Sequence, residues 1–136
     1  ELYKEYPFIM GAMRPRYFYQ SGYRSLPSLA ARQTLPQVRL HPDAARNLDV
    51  DEGDWLWLSS PSTTRRIKMT AHLDPRLDPR VIYPDYGWWN PDRPASENHG
   101  VWESNINVLT DDDPDHCCPM IGGTFLNANL LKLEKA

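Results

Sequence analysis

Residues 13–32 of this 136-residue chain carry Arg14, Arg16, Arg24 and Arg32 and no acid, whereas residues 111–115 carry four aspartates. A guanidinium offers a planar fork of N–H donors that matches phosphate oxygens. The first segment therefore reads as a local anion site, led by Arg24 and then Arg14; Ser21 between them suits a phosphate-facing hydroxyl or a turn residue equally. Trp88-Trp89 could stack on a flat heterocycle. Neighbours in extended chain point oppositely, so one indole is expected in the core and the other toward a ligand or partner domain. Asn105 and Asn107 share one side of an extended segment, where an amide can pair with a donor–acceptor edge or serve as a cap. Asp111, Asp113 and Asp115 imitate the first half of a calcium loop, but His116 and Gly122 stand where its glycine and glutamate belong, so an acidic turn is expected. His116-Cys117-Cys118 could open a metal site, yet no spaced second pair of ligands follows, as zinc would require. No Ser/His/Asp set shows nucleophile spacing, and phosphate-cradling glycine patterns are absent.

Composition narrows the class. Net charge is −3 with 40% hydrophobic and 24% charged residues, the balance of one globular domain, and it disfavours nucleic acid as a partner. No apolar run approaches bilayer length, so no direct membrane insertion is expected. Adjacent Cys117 and Cys118 provide no disulfide framework, and cytoplasmic folding is the simplest reading. The chain opens on Glu1 without an apolar leader and reads as one domain, residues 1–136, of a larger polypeptide.

Thirteen prolines interrupt the chain too often for long helices. Short strands are expected over 6–10, 37–40, 55–59, 66–73, 81–83 and 130–133, from alternation and β-prone runs. The third and fourth should form a hairpin. Pro42 followed by Asp43 starts a helix of about two turns, and a shorter one fits 27–33. The long segments 11–25 and 84–128 read as ligand-facing loops on a small barrel.

Five blocks in order carry a family resemblance. They are Gly11, Arg14, Phe18-Tyr19, Ser21 and Arg24-Ser25-Leu26-Pro27; the run from Val38 to Ala45; the run from Val50 to Leu58; Gly87-Trp88-Trp89; and the run from Ser104 to Thr110 with Asp113-Pro114. Together they resemble the C-terminal molybdopterin dinucleotide-binding domain of the dimethyl sulfoxide reductase family, which includes formate dehydrogenases, nitrate reductases and polysulfide reductases. The resemblance implies a mainly β, double-psi β-barrel with few short helices. It implies binding of molybdopterin guanine dinucleotide, with molybdenum or tungsten carried by the full-length enzyme and the metal ligand on another domain. The domain would bind and orient that cofactor without being catalytic alone. Its partners would be the remaining domains of the catalytic subunit and an iron–sulfur electron-transfer subunit, and the full-length enzyme could be periplasmic. The corresponding cofactor-binding residues are Gly11, Arg14, Tyr19, Ser21, Arg24, Trp88, Asn105 and Asn107, with no catalytic residue and no metal ligand. Tyr19 departs from a frequent family histidine, and Cys117-Cys118 from smaller or polar residues. The rival reading is a free-standing double-psi barrel acting as a small enzyme or interaction module.

Overall fold

Alternation of apolar and polar residues builds the sheet. In β3 (Trp55–Ser59) Leu56 and Leu58 are fully buried, and in β4 (Arg66–Leu73) Ile67 and Met69 are as well. The two strands pair antiparallel, Leu58 opposite Ile67, forming the expected hairpin. The computed structural model describes every residue except 12, 125 and 126.

Four further strands complete the sheet: β1 (Phe8–Met10), β2 (Gln37–Leu40), β5 (Val81–Pro84) and β6 (Leu130–Lys135). They close into a barrel in the order β1-β5-β2-β4-β3-β6, with β1 and β6 sealing it antiparallel through Phe8 and Leu131. The pairs β1–β5 and β2–β4 are parallel. The molecule is thus mainly β, a closed six-stranded double-psi barrel with few short helices, as expected. Its interior is filled by Met10, Val38, Leu40, Leu56, Leu58, Ile67, Met69, Ile82, Leu131 and Leu133.

The helices are short. A four-residue α1 (Leu2–Glu5) precedes the first strand. The first loop runs into α2 (Pro27–Ala30), and α3 (Pro42–Asn47) begins on proline as its sequence dictates. The α3 cap is His41, whose Nδ1 accepts from the Asp43 amide at 3.0 Å, and Ala44 and Ala45 plug one end of the core.

The long segment after β5 is folded rather than irregular. It contains α4 (Val101–Ser104) and three 3-10 turns, Ala95–Gly100, Ile106–Leu109 and Pro114–His116. Ile106 and Leu109 enter the core. The Ser60 hydroxyl donates to the Leu109 carbonyl at 2.7 Å and the Ser104 hydroxyl to the Lys68 carbonyl at 2.9 Å, clamping the segment over the β3–β4 hairpin.

The turn into β3 depends on Gly53, at φ +86°, where a Cβ would meet nothing within 4 Å. Open space removes any steric penalty, so Gly53→Ala isolates the left-handed backbone cost, about 1–2 kcal/mol. A urea titration should show a lower midpoint with an unchanged slope.

Candidate functional site

The loop leaving β1 starts at Gly11, where a Cβ would lie 2.3 Å from the Tyr83 ring, so a larger residue would displace that ring. Its path is then pinned by a bridge between Met13 and Asp85 and by a tight turn in which the Gly22 amide donates to the Tyr19 carbonyl at 2.8 Å. Gln20 and Tyr23 take left-handed backbone, φ 55° and 67°. Opposite them, Gly87 at φ +71° lets the two loops touch, since a Cβ there would meet the Ser21 amide nitrogen at 2.9 Å. Non-glycine residues in this region carry backbone strain that persists only where surrounding structure fixes it.

Arg24 is the hinge of the arrangement. It is 3% exposed, with its guanidinium carbon 3.3 Å from the Trp88 ring centroid and 4.4 Å from that of Phe18. Phe18 and Trp88 meet edge to face at 6.2 Å. Arg24 Nε donates to the Trp89 carbonyl, and the Trp89 indole N–H donates to the Ser21 carbonyl at 2.6 Å, so the two loops are tied in both directions. The Arg24 Nη1 is buried and has no hydrogen-bond partner among the described residues. Burial pulls this guanidinium down to about 10, and the nearby Asp85 charge pulls it partly back.

Asp85 is fully buried. It accepts from the Gln37 amide and Arg39 Nη1, both at 3.0 Å, and from the Gln33 side chain. Burial pushes its carboxyl above the usual range, while Arg39 and the hydrogen bonds oppose that shift. Arg39, Gln33 and Gln37 in turn line a depression of about 410 Å³ that also holds Arg14, Arg16, Arg32 and Arg76.

The structure joins Ser21, Arg24 and Trp88 into one network. Asn105 belongs to it as a brace: Nδ2 donates to the Trp88 carbonyl at 3.0 Å, and Oδ1 accepts from the Asn107 amide at 3.0 Å. Trp88 is the buried indole at 3% exposure, and Trp89 is the half-buried one. Arg14 and Tyr19 lie exposed on the same loop, the guanidinium 5.6 Å from the ring centroid. Asn107 sits apart from Arg24. It lines a different depression, of about 370 Å³, with Arg65, Trp102 and Thr110.

Sequence reasoning missed Asp85, which stands after Pro84 like an ordinary turn acid, and Arg39, whose place in a strand showed only that it alternates with buried residues. It missed Arg76 as well. Arg16 and Arg32 were visible as charge but not as members of one concavity.

The chain is a closed double-psi barrel whose arginine-bearing first loop is laced to a tryptophan loop. The chain belongs to the Molydopterin dinucleotide binding domain family, which it matches over residues 8–125. It is 30% identical over 135 residues to dopamine dehydroxylase from Eggerthella lenta, covering 98% of this chain and 13% of that protein. It is likewise 30% identical over 135 residues to acetylene hydratase from Syntrophotalea acetylenica, covering 93% of this chain and 18% of that one. The structure of acetylene hydratase from Pelobacter acetylenicus superposes with a TM-score of 0.89 at 28% identity, across all of this chain and 19% of that chain. The chain thus spans less than a fifth of the length of these relatives.

Proposed function

We propose that this chain holds molybdopterin guanine dinucleotide and orients it within the catalytic subunit of a molybdenum or tungsten enzyme, while other domains supply the metal ligand and the rest of the cofactor's enclosure. The observation that carries this reading is the Arg24 guanidinium, buried against two aromatic rings with Nη1 unpartnered among the described residues. An unpaired buried donor costs about 1–3 kcal/mol, more when charged, and an anionic or carbonyl oxygen would satisfy it. The donor set therefore fits a phosphate-bearing pterin nucleotide. Arg14, Tyr19 and Ser21 would face it from the same loop, with Gly11 allowing the loop's approach and Trp88 and Asn105 holding Arg24 in place, whereas Asn107, which lines the other depression, stands outside this set. Bound there, the pterin's metal would supply the reaction chemistry, and the chain contributes position and charge.

The names of the relatives support a shared role of this kind. A dehydroxylase and a hydratase carry out different reactions, yet each is 30% identical to this chain. The part of each that matches this chain is less than a fifth of its length, which supports assigning substrate chemistry to the parts outside it. The remaining domains of the subunit, and an iron–sulfur subunit where electrons must leave, are the partners that follow. The chain alone should turn over no substrate.

Arg24→Met removes the donors while keeping apolar contact with Phe18 and Trp88. It also leaves the Trp89 carbonyl without its donor, so a stability loss of about 1–3 kcal/mol is expected beside the loss of binding, with the variant still folded in the absence of denaturant. One lost charge-assisted hydrogen bond of about 1.5–3 kcal/mol corresponds to about a tenfold or greater loss of dinucleotide affinity. Equilibrium binding and urea unfolding of the same variant check both halves. Unchanged affinity would remove Arg24 from the site.

A further inference from the structure

Arg65, Trp102 and Asp112 line one depression of about 370 Å³, and Arg24, Ser21 and Trp88 are not among its walls. Trp102 is 55% exposed, with the Arg65 guanidinium carbon 4.9 Å from its ring centroid. The adjoining hairpin repeats the pairing: Arg66 lies over Trp57 at 4.1 Å, and the Lys68 ammonium is 5.3 Å from the ring centroids of both Trp55 and Trp57. Contact with a ring face holds these cations without neutralising them. None of the three forms an ion pair among the described residues.

Asp112 joins the same depression to the acidic turn. Asp112, Asp113 and Asp115 are exposed and form no ion pair among the described residues, because His116 pairs with Asp111 instead, at 2.8 Å. Met120 and Ile121, shortly after this turn, are 90% and 82% exposed. Unpaired cations and unpaired carboxylates thus meet at one depression without closing on each other, beside large apolar side chains left in water.

Opposite charges side by side on one surface are self-complementary. A twofold rotation lays the basic half of one copy on the acidic half of the other, and the contact is made twice. Tryptophan and arginine are the residue types that most often anchor protein interfaces, and Trp102 with Arg65 stands at the join of the two halves. We propose that this face docks a second copy of the chain as a twofold dimer, with the Arg65, Arg66 and Lys68 side of each copy against the Asp112, Asp113 and Asp115 side of the other. A polyanion or a uniformly acidic protein would meet the aspartates together with the cations, and that juxtaposition of like charges disfavours it.

A charge swap read by sedimentation velocity tests the dimer, with the chain at about 1 to about 500 µM. The parent should pass from monomer to dimer across that range, and added salt should shift it back toward monomer. Arg65→Glu/Arg66→Glu and Asp112→Lys/Asp115→Lys should each dimerise at least about a hundredfold more weakly, since every reversed contact occurs twice in a twofold dimer. Asp113 is left intact because its Oδ1 accepts from the Asp115 amide at 3.0 Å. Circular dichroism should show both variants folded. Mixed in equal amounts they should recover the dimer, because a mixed pair sets arginine against aspartate on one side and lysine against glutamate on the other. Neither variant alters Arg24 or its partners, so the outcome is independent of Arg24→Met. A parent that stays monomeric throughout overturns the proposal and leaves the face to another domain of a longer polypeptide. A dimer indifferent to both reversals, or a mixture that remains monomeric, overturns it as well.

Discussion

Trp88→Ala is expected to destabilise the fold by about 3–5 kcal/mol, the usual consequence of removing a buried tryptophan and leaving a cavity. Trp88 is 3% exposed, packs edge to face on Phe18, and carries the Arg24 guanidinium at 3.3 Å from its ring centroid. Cation–π contact in a desolvated place contributes about 2 kcal/mol, so the buried charge of Arg24 loses support along with the packing. Domains of this size are stable by about 5–15 kcal/mol, and a substantial unfolded fraction should accumulate at modest urea concentrations. Trp88→Phe keeps a flat ring under Arg24 and should recover much of the loss. Chemical denaturation of both variants checks the order; equal midpoints would show that the stack does not hold the loops.

Asp85→Ala should rank beside it. Removing one partner of a buried ion pair costs about 3–5 kcal/mol, because the other is left without its counter-charge. Here the Gln33 side chain and the Gln37 amide lose their acceptor together with Arg39. The pH dependence has a definite sign. Burial raises the folded-state carboxyl above its unfolded value, so the native protein binds the additional proton and the stability linked to this group falls as pH rises from the ordinary aspartate value through the raised one. The stability difference between parent and variant should therefore shrink across that interval and flatten above it. A difference that grows over the same interval would mean that the three donors outweigh burial.

Strand positions were legible because alternation is a local signal: Leu56 and Leu58 against Ile67 and Met69 could be read before any pairing was known. Pro42 and Asp43 announced α3 in the same local way. The parallel pairings β1–β5 and β2–β4 were not readable from periodicity, since they join residues some 70 and 30 positions apart and only the family resemblance supplied a barrel topology. Site residues divide along the same line. Arg14, Ser21 and Arg24 stand in one stretch of sequence, and the Trp88-Trp89 pair signalled one buried and one outward indole. Which of the two is buried depends on Arg24, 64 positions away. Asp85 looks like a turn residue until Gln33, Gln37 and Arg39 converge on it from distances of 46 to 52 positions. Charge that is dispersed in sequence becomes a site only when the barrel gathers it.

The loop bearing Arg24, together with Trp88 and Trp89, is proposed to receive the pterin dinucleotide. Nuclear magnetic resonance suits it, because a fragment of the cofactor's enclosure should bind weakly and chemical shifts register weak binding. The chain has five tryptophans, and their indole N–H signals sample the Trp88–Trp89 loop, the outer side of the hairpin at Trp55 and Trp57, and Trp102. On titration of the nitrogen-15-labelled chain with molybdopterin guanine dinucleotide, the signals of Trp88 and Trp89 and the backbone amides from Tyr19 to Arg24 should move saturably, and the movement should diminish as added salt screens the charges. Shifts confined to Trp55 and Trp57, or no saturable shift anywhere, would contradict the account.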